Sequence, residues 1–217
     1  MKKITFIVLL LFSLIGNTFN AISQNTVTIN GSGNWLGYAN VFGLNGTSYE
    51  FGSAWALADL KSVVGVGTNS ITLYPNFNTY VAGDPYWSNG VIGNKIFEGN
   101  TFIENPSLAG KSLTFSGKVV SYTLAPGYTA VAFIKGLNPA NGYSADVNVS
   151  VPLVSGQDFT VSTAGNIPAG LVVQYGFTIK GLNGNPANQA ALGNVVVGAS
   201  SGTSAPLTQM SLPTTFD

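Results

Sequence analysis

Residues 171–180, with the sequence Leu-Val-Val-Gln-Tyr-Gly-Phe-Thr-Ile-Lys, carry the pattern that decides the fold. Every second residue is apolar or aromatic, namely Leu171, Val173, Tyr175, Phe177 and Ile179. The alternate positions hold Val172, Gln174, Gly176, Thr178 and Lys180. A period of two is typical of an antiparallel strand with one face in the core. We therefore expect Val173, Tyr175 and Phe177 to be buried, with Gln174 and Thr178 on the opposite face.

Similar alternation or short apolar runs recur along the chain. Further candidate strands are residues 26–30, 35–42, 71–74, 95–104, 113–119, 129–135, 147–153, 159–162 and 192–197. Clusters of Gly, Asn and Pro separate them, as at residues 136–142 and 181–188. About ten short strands divided by turns predict an all-β fold, a two-sheet antiparallel β-sandwich of jelly-roll type. Residues 53–62, rich in Ala and Leu, fit a short helix or a strand equally well.

Two of these strands end in similar loops. The sequence Lys-Gly-Leu-Asn at residues 135–138 runs into Pro-Ala-Asn at 139–141, and Lys-Gly-Leu-Asn at 180–183 precedes Pro-Ala-Asn at 186–188. The repeated sequence predicts two loops at the same rim of the sandwich. The alternative is that the repeat is a coincidence in a chain rich in Gly and Asn.

The N-terminal residues have the order of a secretory signal peptide. Lys2 and Lys3 precede an apolar run at residues 4–15, and the small-residue site Ala21-Ile22-Ser23 follows. The run is about a dozen residues long, whereas a membrane-spanning helix needs roughly 20. We therefore expect cleavage after residue 23, a secreted or cell-surface protein, and no membrane span after cleavage. An uncleaved anchor is the alternative.

The C-terminal residues lose the strand pattern. Residues 199–217 are mostly Gly, Ser, Thr, Ala and Pro, so we expect a flexible tail or linker after a β-sandwich domain at residues 24–198. The last six residues, Leu-Pro-Thr-Thr-Phe-Asp, resemble the junction before the C-terminal sorting domain of proteins secreted by gliding bacteria. That resemblance implies a truncated chain whose sorting domain is missing.

The composition excludes several classes of function. Only 7% of the residues are charged, His and Cys are absent, and all eight basic residues are Lys. Without Arg or a basic stripe, we expect no binding of nucleic acid. Without His or Cys, the Ser-His-Asp and Cys-His hydrolases and His-ligated zinc are excluded. The sequence also lacks a dinucleotide fingerprint and a phosphate loop, so no cofactor is expected.

One region carries a family resemblance. Residues 108–116, Leu-Ala-Gly-Lys-Ser-Leu-Thr-Phe-Ser, lead after one turn into the apolar residues 128–135. This pair of strands resembles the galactose-binding-like jelly-roll carbohydrate-binding modules of secreted bacterial proteins, and residues 171–180 and 192–197 resemble that family's closing strands. The family's Asn-Gly-x-Phe-Glu opening and its acidic calcium cluster have no counterpart here. The resemblance therefore implies a jelly-roll fold that binds carbohydrate, with the ligand left open.

Sugar sites in such modules pair exposed aromatic rings with amides and carboxylates. The aromatic candidates are Trp35, Tyr38, Trp55, Tyr80, Tyr86 and Trp87. The best of them lie at or near residues 84–90, where Asp-Pro and Asn-Gly predict turns that place Tyr86 and Trp87 on a loop. We therefore predict a ligand site of Trp87, Tyr86, Asp84 and Tyr80, the alternative being that Trp87 folds back and caps the core. Trp35 and Trp55 are expected in the core.

Carboxylates and metals give weaker signals. A glycosidase needs two carboxyl groups about 5–9.5 Å apart. Glu98 and Glu104 share one strand face, but six residues at about 3.3 Å each separate them by roughly 20 Å. A pair from different strands, such as Glu50 or Asp59 with Glu98, is not singled out by the sequence, and no enzymatic activity is expected. Calcium is chemically possible at Asp84, Asp146 or Asp158, but these stand in no acidic cluster. The metal is left unassigned.

Two functions fit these observations. The first is a secreted, non-catalytic module that binds polysaccharide, and the second is a structural or adhesive surface protein. A sugar-binding module should expose two or more aromatic rings on a concave face or a loop rim. An adhesive protein should instead show a flat or unpaired sheet edge.

The absence of His gives a first testable prediction. We expect the free energy of unfolding and any ligand affinity to change little between about pH 6 and 8, since His is the usual titrating group there. Urea denaturation at several pH values measures the first quantity and calorimetry the second. A steep change in this window would reveal a strongly shifted carboxyl or amino group and contradict the prediction.

Overall fold

The computed structural model describes residues 24–200. The predicted signal peptide, residues 1–23, and residues 201–217 of the predicted tail lie outside the described residues. In chain order the strands are β1 (Asn25–Thr28), β2 (Trp35–Phe42), β3 (Tyr49–Trp55), β4 (Ser62–Gly65), β5 (Ser70–Leu73), β6 (Ile96–Glu104), β7 (Leu113–Tyr122), β8 (Thr129–Asn138), β9 (Ser144–Pro152), β10 (Asp158–Ser162), β11 (Val172–Leu182) and β12 (Val195–Gly198). Two one-turn helices, α1 (Leu57–Leu60) and α2 (Gln189–Leu192), and three 3-10 turns (Pro106–Leu108, Pro139–Asn141 and Pro186–Asn188) lie between them.

The strands form two sheets that pack as a sandwich. Sheet 1 contains β1, β4, β5, β7, β10 and β12, and sheet 2 has the order β3-β2-β6-β11-β8-β9. The chain crosses from one sheet to the other at most of its connections, as in β6 to β7, β7 to β8 and β9 through β12. This alternation is typical of a jelly roll. The predicted all-β, two-sheet fold is confirmed, and the pairing is antiparallel except for β1, which runs parallel to β7.

Strand β7 is flanked by three strands. On one side it pairs with β10, and the backbone of Val119 continues that side through hydrogen bonds with Gly156 and Gln157. On the other side β1 pairs with residues 113–116 and β12 with residues 118–122. The first and last strands of the domain therefore lie end to end along the same side of β7.

A group of packed aromatic rings lies in the core between the sheets. Phe177 is fully buried, and its ring centroid lies 5.3 Å from that of Phe115, 5.6 Å from Phe159 and 6.1 Å from the stacked ring of Trp35. Val173 and Tyr175 are buried beside it, while Gln174 and Thr178 lie on the outer face of sheet 2. The predicted register of residues 171–180 is confirmed, and Trp35 belongs to the core as expected.

A smaller apolar cluster lies beneath β2 and β3. It consists of Ala39, Val41, Leu60 and Phe97, with Phe51, Trp55 and Trp87 packed against its margin. Leu60 reaches this cluster from α1, which ends at Lys61 in the left-handed conformation, with φ of 59°. Residues 53–62, which the sequence pattern left open, are thus neither one helix nor one strand. They contain the end of β3, the single turn of α1 and the start of β4.

The structure corrects the placement of the two similar loops. Asn138 and Asn185 each cap a Pro-Ala-Asn turn, accepting a hydrogen bond from the backbone N–H of Ala140 and Ala187 respectively. However, β8 and β11, the strands that lead into these loops, are antiparallel neighbours. The two loops therefore lie at opposite ends of sheet 2, and the prediction of a shared rim is wrong.

The burial of Phe177 gives a test of this core. We expect Phe177→Ala to lower the free energy of unfolding by about 3–5 kcal/mol, because it removes a large aromatic side chain from a packed site. The neighbouring Gln174→Ala on the outer face should cost less than about 1 kcal/mol. Urea denaturation of both variants measures the difference. Equal stabilities would show that the two faces of β11 have been assigned incorrectly.

Candidate functional site

An open cleft of about 880 Å³ crosses the outer face of sheet 2. Strands β2, β3, β6, β8 and β11 form its floor and walls, and the turn before β9 forms one rim. The lining side chains that bear on its chemistry are Tyr38, Asn40, Asn100, Glu104, Lys135, Tyr143 and Gln174. All but Tyr143 project from strands, so the sheet holds most of the cleft in place. A pocket of this size is in the range that binds small ligands or a segment of a chain.

Gly176 shapes the centre of this outer face. Its register neighbours are Phe102 on β6 and Phe133 on β8, and both Phe side chains are buried although their strand positions face away from the core. A Cβ at Gly176 would lie 2.2 Å from the carbonyl oxygen of Thr101 and 2.6 Å from the Cα of Phe102. Because such contacts with backbone atoms cannot be relieved, only glycine fits here. The missing side chain lets the backbone of β6 approach β11 closely at this point.

A row of polar side chains runs along the same face. Asn100 is 3% exposed, and its Oδ1 accepts hydrogen bonds from the hydroxyl of Thr178 (2.7 Å) and from Nζ of Lys135 (3.3 Å). Two residues earlier on β6, the Glu98 carboxylate accepts a hydrogen bond from Nδ2 of Asn40 at 3.0 Å and pairs with Lys180 at 3.5 Å. This network fixes the orientation of each polar group before any ligand arrives.

Lys135 and Glu104 are the charged side chains that line the cleft. Burial lowers the pKa of the Lys135 ammonium group, and the negative charge of Glu98 opposes that shift. The Lys135 Nζ lies 4.4 Å from the centre of the Phe133 ring, which adds a cation–π contact. The Oε2 of Glu104 accepts a hydrogen bond of 3.0 Å from Nε2 of Gln174. The cleft therefore offers one cation, Lys135 on β8, and one carboxylate, Glu104 on β6, with Gln174 of β11 between them in the register.

Two tyrosines expose their rings at the cleft. Tyr38 on β2 is 37% exposed and Tyr143 is 62% exposed. Tyr143 has a φ of 60°, a value uncommon for a residue with a side chain, and it follows Gly142 with a φ of 59°. The backbone N–H of Tyr143 donates to the carbonyl of Asn138 at 2.8 Å, which closes the turn. Tyr38 was among the sequence candidates. Tyr143 was missed, because only the turn geometry places it here.

The predicted loop site at residues 84–90 lies outside the cleft, and Tyr86 attaches it to Glu50 and Lys95. The hydroxyl of Tyr86 donates to Glu50, which also forms a 2.7 Å ion pair with Lys95, and Lys95 lies 4.1 Å from the centre of the Tyr86 ring. The hydrogen bonds from Lys95 and Tyr86 lower the pKa of Glu50. Burial, together with the hydrogen bond to Glu50, raises the pKa of Tyr86 to about 12. Tyr86 is 39% exposed, so part of its ring remains accessible.

The other three predicted loop residues hold the loop together. Trp87 is half-buried, and its ring centroid lies 6.2 Å from Phe51 and 4.8 Å from Tyr86, at the margin of the smaller apolar cluster. Asp84 uses Oδ1 to accept from the backbone N–H of Tyr86 at 2.9 Å. Tyr80 donates its hydroxyl to the carbonyl of Gly90 at 3.2 Å. The loop thus brings Trp87 and Tyr86 into contact, and these four residues do not line the cleft.

The remaining sequence candidates are distributed between core and surface. Trp55 is half-buried, packs edge-on against Phe97 at 5.3 Å and also lines the cleft.

Within residues 24–200, no three Asp or Glu side chains converge in a way that could hold a metal ion. In the same part of the chain, no helix is long and apolar enough to cross a membrane.

Comparison with known proteins gives little further information. The chain matches no protein-family model and no curated protein. Among solved structures it is similar to the Clostridium thermocellum N-terminal endo-1,4-beta-D-xylanase 10B, comprising CBM22-1 and GH10 modules complexed with xylohexaose. The sequence identity is 11%, the TM-score is 0.31, and the match covers 58% of this chain and 25% of that chain. This similarity is too weak to support a fold or a function. The fold described above rests on the strand pairing of this chain alone.

The contacts of Trp87 lead to a prediction that separates its two roles. We expect Trp87→Ala to lower the free energy of unfolding by about 1.5–3 kcal/mol, since a half-buried ring leaves the apolar cluster. Val91→Ala, a change at the residue directly after this loop, whose side chain is 71% exposed, should leave stability nearly unaltered. Thermal melts compare the two. An unchanged melting temperature together with a loss of glycan affinity would instead identify Trp87 as a ligand contact.

Proposed function

We propose that this chain is a secreted, non-catalytic module that binds polysaccharide in the cleft on the outer face of sheet 2. The observation that carries the proposal is the combination of two exposed tyrosine rings with fixed amide and carboxylate groups in one open cleft of about 880 Å³. The predicted signal peptide supports export, and the sequence resemblance to carbohydrate-binding modules supports the ligand class.

The chemistry of the cleft suits a sugar chain. Pyranose rings present apolar faces that stack on aromatic rings, as Tyr38 and Tyr143 would allow, and hydroxyl groups at their edges. Asn40, Gln174 and Glu104 line the cleft and supply both donors and acceptors. The cleft is open rather than closed, so a chain could enter along it without a terminal residue being required. Binding to a preformed cleft avoids much of the entropy cost of ordering loops.

The same cleft offers little for catalysis. Hydrolysis of a glycosidic bond by the usual route needs two carboxyl groups flanking it. Among the side chains that line the cleft, Glu104 is the one carboxylate, and its Oε2 is hydrogen-bonded to Gln174. Glu50, considered as a partner for Glu98, is instead paired with Lys95. These arrangements favour binding without turnover.

The loop at residues 84–90 remains a second proposed contact surface for the sugar. The exposed part of Tyr86 is the feature that supports it, while Trp87, Asp84 and Tyr80 are engaged in contacts within the domain. A structural or adhesive role has less support. At one edge of sheet 2, β9 carries Asp146 and Pro152, and charged or Pro residues on an edge disfavour pairing with another chain.

A glycan-array screen followed by aromatic substitutions tests the proposed function. Tyr38→Ala and Tyr143→Ala should each weaken binding by about 1–3 kcal/mol, the scale of a lost stacking contact at a binding site, with little change in melting temperature. Tyr49→Ala is the matched control, because Tyr49 is 59% exposed on the same sheet but does not line the cleft. Full affinity in both cleft variants would refute the cleft as the site.

A further inference from the structure

We propose that the cleft prefers anionic polysaccharides and that the ammonium group of Lys135 binds the charged substituent of a sugar ring. A uronate carboxylate and a sulfate ester are the two common forms of such a substituent. This inference rests on the proposed function and narrows it to a substrate class.

The first ground is that Lys135 is a cation without a carboxylate partner. In the described part of the chain the ion pairs join Lys95 to Glu50 and Lys180 to Glu98. Lys135 makes its hydrogen bond to a neutral group, the amide oxygen of Asn100, at 3.3 Å. An ammonium group has three donors, and burying it without a counter-ion costs free energy. A bound anion would offset that cost.

The second ground is that the nearby carboxylate is already engaged. Glu98 lies on β6 two residues before Asn100, but its oxygens are held by Asn40 at 3.0 Å and Lys180 at 3.5 Å. It therefore attracts Lys135 without pairing with it. The Thr178 hydroxyl holds Oδ1 of Asn100, and Lys135 donates to that same oxygen. The ammonium group of Lys135 therefore lies at a defined position in the floor of the cleft.

The position of Glu104 restricts where an anion is accepted. Glu104 and Lys135 are register neighbours on either side of Gln174, on β6, β8 and β11 respectively. The Lys135 side chain extends toward Asn100, while Gln174 binds the Glu104 carboxylate. A negative substituent is therefore favoured at Lys135 and repelled beside Glu104. The cleft should accept one such group at a fixed place along the bound segment rather than respond to charge in general.

Matched pairs of polysaccharides test the inference. The probes are polygalacturonate and alginate, each beside its carboxyl-reduced counterpart, and a carrageenan beside its desulfated form. We expect at least one anionic polymer to bind the domain about tenfold or more tightly than its neutral counterpart, measured by calorimetry. Raising the salt concentration from about 20 to about 500 mM should reduce this preference, because an ion pair is screened and a neutral contact is not. The carboxylate and sulfate pairs reveal which substituent is recognised.

Substitutions of Lys135 locate the preference. Lys135→Met keeps an unbranched side chain but removes the charge, and it should abolish the preference, whereas Lys135→Arg should retain it. Lys111→Met is the control, since it removes an exposed lysine that does not line the cleft. Thermal melts establish that each variant is folded, and the salt dependence of the unsubstituted protein tests the inference even if Lys135→Met does not fold.

The possible outcomes distinguish a failure of this inference from a failure of the proposed polysaccharide-binding function. Equal binding of anionic and neutral polymers, or a preference that survives in Lys135→Met, overturns the role of Lys135. Binding of neutral glycans alone overturns the preference for anions and leaves the polysaccharide-binding function standing. If no glycan binds at all, both fall.

Discussion

The packing of the Phe177 ring between the two sheets is the contact on which the rest of the structure depends. It meets Phe115 and Phe159 of sheet 1 and Trp35 of sheet 2, so a single side chain joins the central strand of one sheet to the strands opposite. Because side chains alternate along β11, fixing Phe177 inward also fixes Gly176 and Thr178 outward. The floor of the cleft is thus determined by the core on its other side.

The side chains on the outer face of sheet 2 are held in place with few charged groups. Its polar groups are mostly amides and hydroxyls that bond to one another, and its ions are held close to these neutral partners. Such a network is costly to leave partly satisfied, but when complete it holds each side chain in one orientation. A surface of this kind can recognise hydroxyl-rich ligands by geometry. It also explains how a chain with 7% charged residues can still present a specific polar site.

The sequence pattern predicts strand bounds well where one face of the strand is fully buried. The bounds predicted for β2 agree with the structure, and those for β6, β10 and β11 differ by at most two residues at either end. Strands β3 and β4 were missed, and both lie at sheet edges. No side chain of β3 is fully buried, and Val63 of β4 is 57% exposed, so the alternation that marks a central strand is absent. The cleft was harder to predict, since Tyr38, Lys135 and Tyr143 come from distant segments that only the register of sheet 2 brings together.

The arrangement of strands along β7 affects how the domain can be made. One side of β7 is completed by β1 at one half and by β12 at the other, so its backbone hydrogen bonds require both the earliest and the latest strands of the domain. During synthesis, the residues that fill the second half are the last of the sandwich to leave the ribosome. Until then that half of β7 lacks its partner strand on this side. The backbone pairing of β7 is therefore complete only once the last strand of the described sandwich is in place.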